Sequence, residues 1–360
     1  MMRHPRFCAF GLTVNLTLVI CLLATAFPVV SYAEATLLLP GQVFLSQASS
    51  NDGDDPDGAE DLPPGPLAYE KTGRQAVIQL YAGFNYRTDE LNWNIAGQPD
   101  GTSPNILSEL TWDDLGIYEV SLGFSSFVKK SVYFRGYMNY GRIMSGENQD
   151  SDYNADDRQD EFSRSNNSAD DGNTIDVSLG AGLLLPIIKD VITVMPLVGL
   201  SYHGQNLTIT DGFQTIPATG AFPDLDSTYE AQWMGPWVGL EMQMDMVTGW
   251  RVVPRIVPFV GVEYHWAVYN AEADWNLRED FDHPKSFEHE ADANGIRFMV
   301  GLSTFLTEKW SLEIEYTQQQ WAVEDGTDRV FFSDGTYAET RLNEVNWNSK
   351  AMGLAISYQF

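Results

Sequence analysis

The chain is short of the groups that most soluble chemistry needs. Among 360 residues there are two cysteines, Cys8 and Cys21, both inside an apolar stretch near the N-terminus. If that stretch is removed, no thiol remains, which excludes a disulfide framework and a cysteine metal site and suits passage through an oxidising compartment. Cations are scarce as well: 21 Lys and Arg stand against 50 Asp and Glu, for a formal net charge of −29. Nucleic acid is therefore not an expected partner, because phosphate binding needs clustered Lys and Arg. There is no P-loop, no GxGxxG after a strand, no GxSxG and no HExxH. Each of those motifs fixes a nucleophile, a phosphate or a metal by local geometry, so any chemistry here is assembled from scattered residues. No cofactor is expected.

Long hydrophobic runs are also lacking, apart from Phe7 to Val30. A basic start (Arg3, His4, Arg6), that apolar run, and Ser31-Tyr32-Ala33 read as a secretory signal over residues 1–33. A transmembrane anchor is the competing reading. Loss of Arg3 and Arg6 with the signal takes the charge from −29 to about −31. Residues 34–74 include DGDDPDGAEDLPPGP and are expected to be an acidic, disordered leader. DGDDPDGAE loosely mimics a Ca²⁺ loop but lacks EF-hand spacing and flanking helices, so no metal site is expected there.

What is present is strand periodicity. In the last eleven residues, Lys350 to Phe360, Met352, Leu354, Ile356, Tyr358 and Phe360 share one parity, while Ala351, Gly353, Ala355, Ser357 and Gln359 share the other. Side chains of a strand alternate between faces, so one face is large and apolar and the other small or polar. Upstream the second face carries charge. Glu119, Arg135, Glu241, Glu263, Arg297, Glu313 and Glu315 all fall opposite apolar positions such as Val120, Val262, Phe298 and Ile314. Charge inside and hydrocarbon outside is the pattern of a membrane barrel, and a Lys or Arg facing mid-bilayer lipid costs about 2–4 kcal/mol. The inner charges are expected to pair in a packed lumen. Glu263 and His265 also share a face, but without a third ligand they define no metal site.

About ten such stretches follow Ala76. Short connections (Lys129–Ser131, Lys189–Val191, Met246–Arg251, Thr307–Lys309) alternate with longer acidic ones (Arg87–Asn105, Gly146–Asn173, Asp211–Ser227, Asn276–Asn294, Ser333–Ala338). The fold expected for residues 75–360 is all-β: a ten-stranded antiparallel transmembrane β-barrel of the cell outer membrane, with long extracellular loops and short periplasmic turns. Outer-membrane lipid is its expected partner. The acidic loops suit basic peptides or divalent cations.

Two places carry candidate chemistry. Asp150 and Asp152 are two apart just past the third stretch; if the strand continues, both point into the barrel mouth and share a proton. Past the seventh, Asp280, Asp282 and His283 bring carboxylates beside a potential base. Acidic, solvated loops are the plain alternative for both. The layout, together with Thr88-Asp89-Glu90-Leu91, Leu107–Trp112 and Asp150-Ser151-Asp152-Tyr153, resembles the omptins, surface proteases of Gram-negative outer membranes. The resemblance covers about Ala76 to Phe360. It implies that Asp150 and Asp152 position an attacking water, that His283 with Asp280 or Asp282 takes its proton, and that Glu90 helps hold a basic substrate side chain. The omptin Asp-x-His departs here: Phe281 takes the His position, and Asp282 and His283 are adjacent, so an extended strand turns them to opposite faces. Two functional classes therefore stand side by side, an endopeptidase and a non-enzymatic structural, adhesive or cation-binding barrel. A small porin is a third, disfavoured because ten strands enclose little more than their own side chains.

Overall fold

A computed structural model describes residues 76–128 and 131–360. The expected signal and acidic leader lie outside the described residues. Those described contain no helix and form fourteen strands in one antiparallel sheet. In chain order these are β1 (Ala76–Ile95), β2 (Ser108–Val128), β3 (Val132–Ala155), β4 (Gln159–Ser168), β5 (Gly172–Leu183), β6 (Leu185–Ile188), β7 (Ile192–Ile216), β8 (Gly220–Ala221), β9 (Asp226–Met244), β10 (Met246–Val247), β11 (Arg255–Asp274), β12 (Phe287–Phe305), β13 (Trp310–Phe331) and β14 (Tyr337–Gln359).

Ten of them form the closed wall: β1, β2, β3, β5, β7, β9, β11, β12, β13 and β14. β14 returns to β1, from Gln79↔Gln359 to Ile95↔Leu342, so the ten-stranded wall closes on itself. Closure matters because an unpaired backbone N–H or C=O in hydrocarbon costs several kcal/mol. β4 continues the wall above β5, pairing with β3 on one side and β7 on the other.

The strands are longer than the sequence pattern suggests. β1 runs nine residues past Tyr86, β3 passes through Asp150 and Asp152, and β4 occupies part of the expected loop Gly146–Asn173. The physical reason is an inversion of polarity along each strand. On β1 the outward residues are Ile78, Leu80, Phe84 and Tyr86, then Thr88, Glu90 and Asn92; the inward ones are Gln79, Asn85, Arg87 and Asp89, then Leu91, Trp93 and Ile95. On β13, Leu312 and Ile314 face out opposite Glu313 and Glu315; farther up, Gln320 and Glu324 face out opposite Trp321 and Val323. Below the inversion the barrel has a greasy exterior and polar interior. Above it the barrel resembles a water-soluble one. Tyr86, Tyr118, Tyr140, Tyr264, Trp266 and Tyr316 face outward near the boundary, and Trp310, Tyr358 and Phe360 mark the opposite rim, as aromatic girdles do at the two membrane surfaces.

The lumen is layered. Near the periplasmic end Val77, Phe127, Tyr133, Met195, Leu197 and Trp237 pack together. Trp237 explains two glycines on the neighbouring strands β5 and β7, over which its ring lies: a Cβ on Gly180 or Gly199 would be 2.6 or 2.3 Å from that ring. Above comes the charged layer expected from parity. Arg135 pairs with Glu263 and stands 3.7 Å from Glu241, while Arg297 reaches Glu263 at 3.3 Å and Glu315 at 3.5 Å. Higher still, Arg87 joins Asp89, Glu119 (2.9 Å) and Asp176 (2.7 Å), and His203 Nδ1 contacts Asp176 at 2.7 Å. Trp347 donates its indole N–H to Asp89 at 2.9 Å. The extracellular half is filled by an apolar cluster including Trp93, Trp112, Tyr229, Trp233, Trp321 and Trp347. Its lowest rings rest on the charged layer, with Trp321 4.8 Å from the His203 ring and stacked 5.6 Å from Trp347.

Two outcomes follow for stability in lipid vesicles, each read by denaturant unfolding. Leu122→Arg, on the outward face of the band, should cost about 2–4 kcal/mol, whereas Asn92→Arg on the upper outward face should cost about 0–1 kcal/mol. Arg87→Met strands three buried carboxylates and should cost about 3–5 kcal/mol or more. A wild-type unfolding curve for either Leu122→Arg or Arg87→Met would contradict the layering.

Candidate functional site at the extracellular mouth

Asp150 and Asp152 lie on the upper part of β3, above the polarity inversion. Register fixes their direction. Asp150 sits opposite Leu110 of β2 and Ser165 of β4; Asp152 sits opposite Ser108 and Ser163. Directly opposed residues share a face, and Leu110 belongs to the lumenal cluster. Both carboxylates therefore face the mouth side, as expected if the strand continued that far. The apolar cluster is their floor: Trp112, one step below Leu110 on this face, is fully buried and stands opposite Asn148. Asn167 caps Asn148 with a 2.8 Å hydrogen bond.

This setting disfavours two negative charges. Burial, then the neighbouring Asp152 charge, pushes Asp150 up to about 8. Burial also raises Asp152, against hydrogen bonds from Ser108 and Ser163 that favour its ionised form. The opposing charge comes from Arg278, whose positive field lowers both carboxyls. Arg278 is held by a two-pronged contact to Asp280, at 3.0 and 2.9 Å, and its guanidinium lies 4.1 Å from the Phe281 ring centre. That contact in turn holds Asp280 below the usual carboxylate range. The mouth thus brings together Asp150, Asp152, Arg278 and Asp280.

The other candidates are not brought to this cluster. Asp282 is exposed and accepts the backbone N–H of His283 at 2.9 Å. The His283 ring bonds through Nδ1 to Asp274 at 2.6 Å, and that carboxylate raises it. Asp274 lies on the outward parity of β11, next to lumenal Ala273, so His283 stands on the outer flank. Glu90 is exposed on the outer face of β1, because its neighbours Asp89 and Leu91 take the inward positions. The omptin-derived role for Glu90 requires an inward side chain, and the alternation of β1 gives that direction to Asp89 instead.

Sequence reasoning missed Arg278. Its signal was available: it is the one Lys or Arg between Trp275 and Asp282, two residues from Asp280. It also missed the lumenal group of Arg87, Asp89, Asp176 and His203. Among the described residues no set of three His, Cys, Asp or Glu gathers closely enough to hold a metal ion.

A family model described as Protochlamydia outer membrane protein (Pom) matches residues 81–360. No curated protein sequence gives a significant match. The fold is similar to that of the outer membrane protease OmpT from Escherichia coli, with a TM-score of 0.62 at 11% identity over 79% of this chain and 97% of that one. The translocator domain of autotransporter NalP from Neisseria meningitidis overlaps 78% of this chain and 88% of that one at 13% identity, with a TM-score of 0.35. For the outer membrane protein OprG from Pseudomonas aeruginosa the values are 80% and 97% at 11% identity, with a TM-score of 0.30. At such identities the OmpT match speaks to fold alone, and the two weaker ones carry no argument.

The raised carboxyl has a pH consequence. Asp150 in the folded chain holds a proton that the unfolded chain has already released, so between its ordinary value of 3.8 and about 8 it costs progressively more stability as pH rises. Asp150→Asn removes that cost. Its melting temperature should exceed wild type above about pH 8, with the gap shrinking toward pH 4; a gap independent of pH would reject the assignment.

Proposed function

Because the chain belongs to the Protochlamydia outer membrane protein family, we propose that this outer-membrane barrel is a sealed, non-enzymatic surface protein that presents an acidic extracellular wall to cationic ligands. The observation that carries this reading is the apolar filling of the extracellular half of the lumen. It occupies the space that a pore or a deep catalytic groove would need. The wall itself is charged. Glu230, Glu272 and Glu288 are direct cross-strand neighbours on the outer face, an arrangement that is unfavourable unless neutralised. Lys285 bridges Glu272 and Glu288, and Arg329 joins Glu288 to Glu339. Glu230 takes part in none of these pairs. Such a surface attracts basic peptides or divalent cations through its summed field.

A second reading is an omptin-like endopeptidase. It is favoured by one observation, the raised and adjacent carboxyls Asp150 and Asp152 at the mouth of a fold similar to an outer membrane protease. The same geometry disfavours it, since the cation facing the pair is Arg278 and the His283 ring is committed to Asp274.

One set of measurements separates the two. Barrel refolded into lipid should bind oligolysine at low salt, lose that binding at high salt as surface charge is screened, and leave Lys- and Arg-containing peptides intact. The triple variant Glu230→Gln, Glu272→Gln, Glu288→Gln should weaken oligolysine binding. Cleavage beside Lys or Arg that Asp152→Asn abolishes would replace the binding reading with the protease.

A further inference from the structure

The outward wall formed by β2, β3, β5, β7 and β9 is not smooth. A groove of about 1020 Å³ crosses it, bordered by Phe124, Phe134, Leu179, Val198, Leu200 and Met234. Two cross-strand rows explain its depth. One reads Ser126, Phe134, Ala181, Val198 and the next Phe124, Gly136, Leu179, Leu200. The small outward residue Ala181 thus leaves a gap between Phe134 and Val198, Leu179 and Phe124 close over Gly136, and the floor is peptide backbone at Gly180 and Gly199. The inner side of that floor is closed by Trp237. Arg135 contributes backbone only, because its side chain turns to lumenal Glu241 and Glu263.

From this we infer that the groove is a binding site for one acyl chain of a phospholipid from the periplasmic leaflet. The groove lies inside the apolar band, between the short turn after Val128 and the girdle residue Tyr140, so it is continuous with the lipid-facing surface. Its walls offer no charged side chain to hold water. Chain and slot both lie in hydrocarbon, so what a flexible acyl chain gains there is van der Waals packing against a concave wall rather than removal from water. A second copy of the barrel fits it poorly, since two convex walls touch along a line and neither reaches the floor. The site goes beyond the acidic-wall function and does not depend on it.

Native mass spectrometry of the barrel, extracted from membranes in mild detergent, tests this. Wild type should retain a single phospholipid. Ala181→Trp fills the slot and should abolish retention of that phospholipid. Val198→Trp provides a second filling variant if the first does not fold. Ala82→Trp, on the outward face of β1, should keep wild-type retention. The inference is overturned by absence of bound phospholipid in wild type, by equal loss in Ala82→Trp, or by unchanged retention in both filling variants. A dimer mass that the filling variants abolish would overturn it in favour of a second copy.

Discussion

Everything in this barrel depends on hydrogen bonds that have no alternative partner. Within hydrocarbon each backbone N–H and C=O must be matched by a neighbouring strand, and the β1–β14 register supplies the last seam. Once the seam is closed, the direction of each side chain is no longer free. A shift of one residue in a strand would send its whole lumenal set into lipid. The charged layer therefore holds register as much as it contributes energy. Arg135 and Arg297 both engage Glu263, from strands on different sides of the lumen, and the network is satisfied in one alignment of those strands.

The energetics of the two halves differ in kind. In the membrane-level half, burial of ions is costly, and their mutual attraction offsets that cost only when geometry is good. Arg87, with three carboxylates around it, and Glu263, with two arginines and His265, are the points where this is met. In the upper half water surrounds the wall, and ordinary hydrophobic burial returns as the main force. The tryptophan-rich cluster there buries large aromatic area. The boundary between the two regimes is sharp, occurring within about one pair of residues, from Asp89 to Leu91 on β1.

Much of the lower half was legible in the sequence. Parity along the stretches containing Glu119, Glu263, Arg297 and Glu313 placed charge inside and fixed the all-β class and strand number. The upper half was less legible because it obeys the opposite rule. Where Leu91, Trp93 and Ile95 alternate with Asn92 and Asn94, the pattern is still a strand, yet it does not read as a continuation of a lipid-facing one. The expected loop boundaries at Tyr86 and Gly146 follow from that. At the mouth, the facing of Asp150 and Asp152 was readable from period-two spacing. Arg278 could be picked out as the one cation of its segment, but neither its direction nor that of His283 could be, because both lie beyond the end of β11, where strand parity no longer governs direction.

The length of β3 gives the upper half a physical meaning. Its 24 residues at ~3.3 Å each extend roughly 80 Å along the strand, or about 60 Å along the barrel axis at a typical tilt, against an apolar band of about 25 Å. Much of the cylinder is thus a stalk standing clear of the bilayer surface, and its carboxylates meet the surroundings beyond the reach of lipid headgroups.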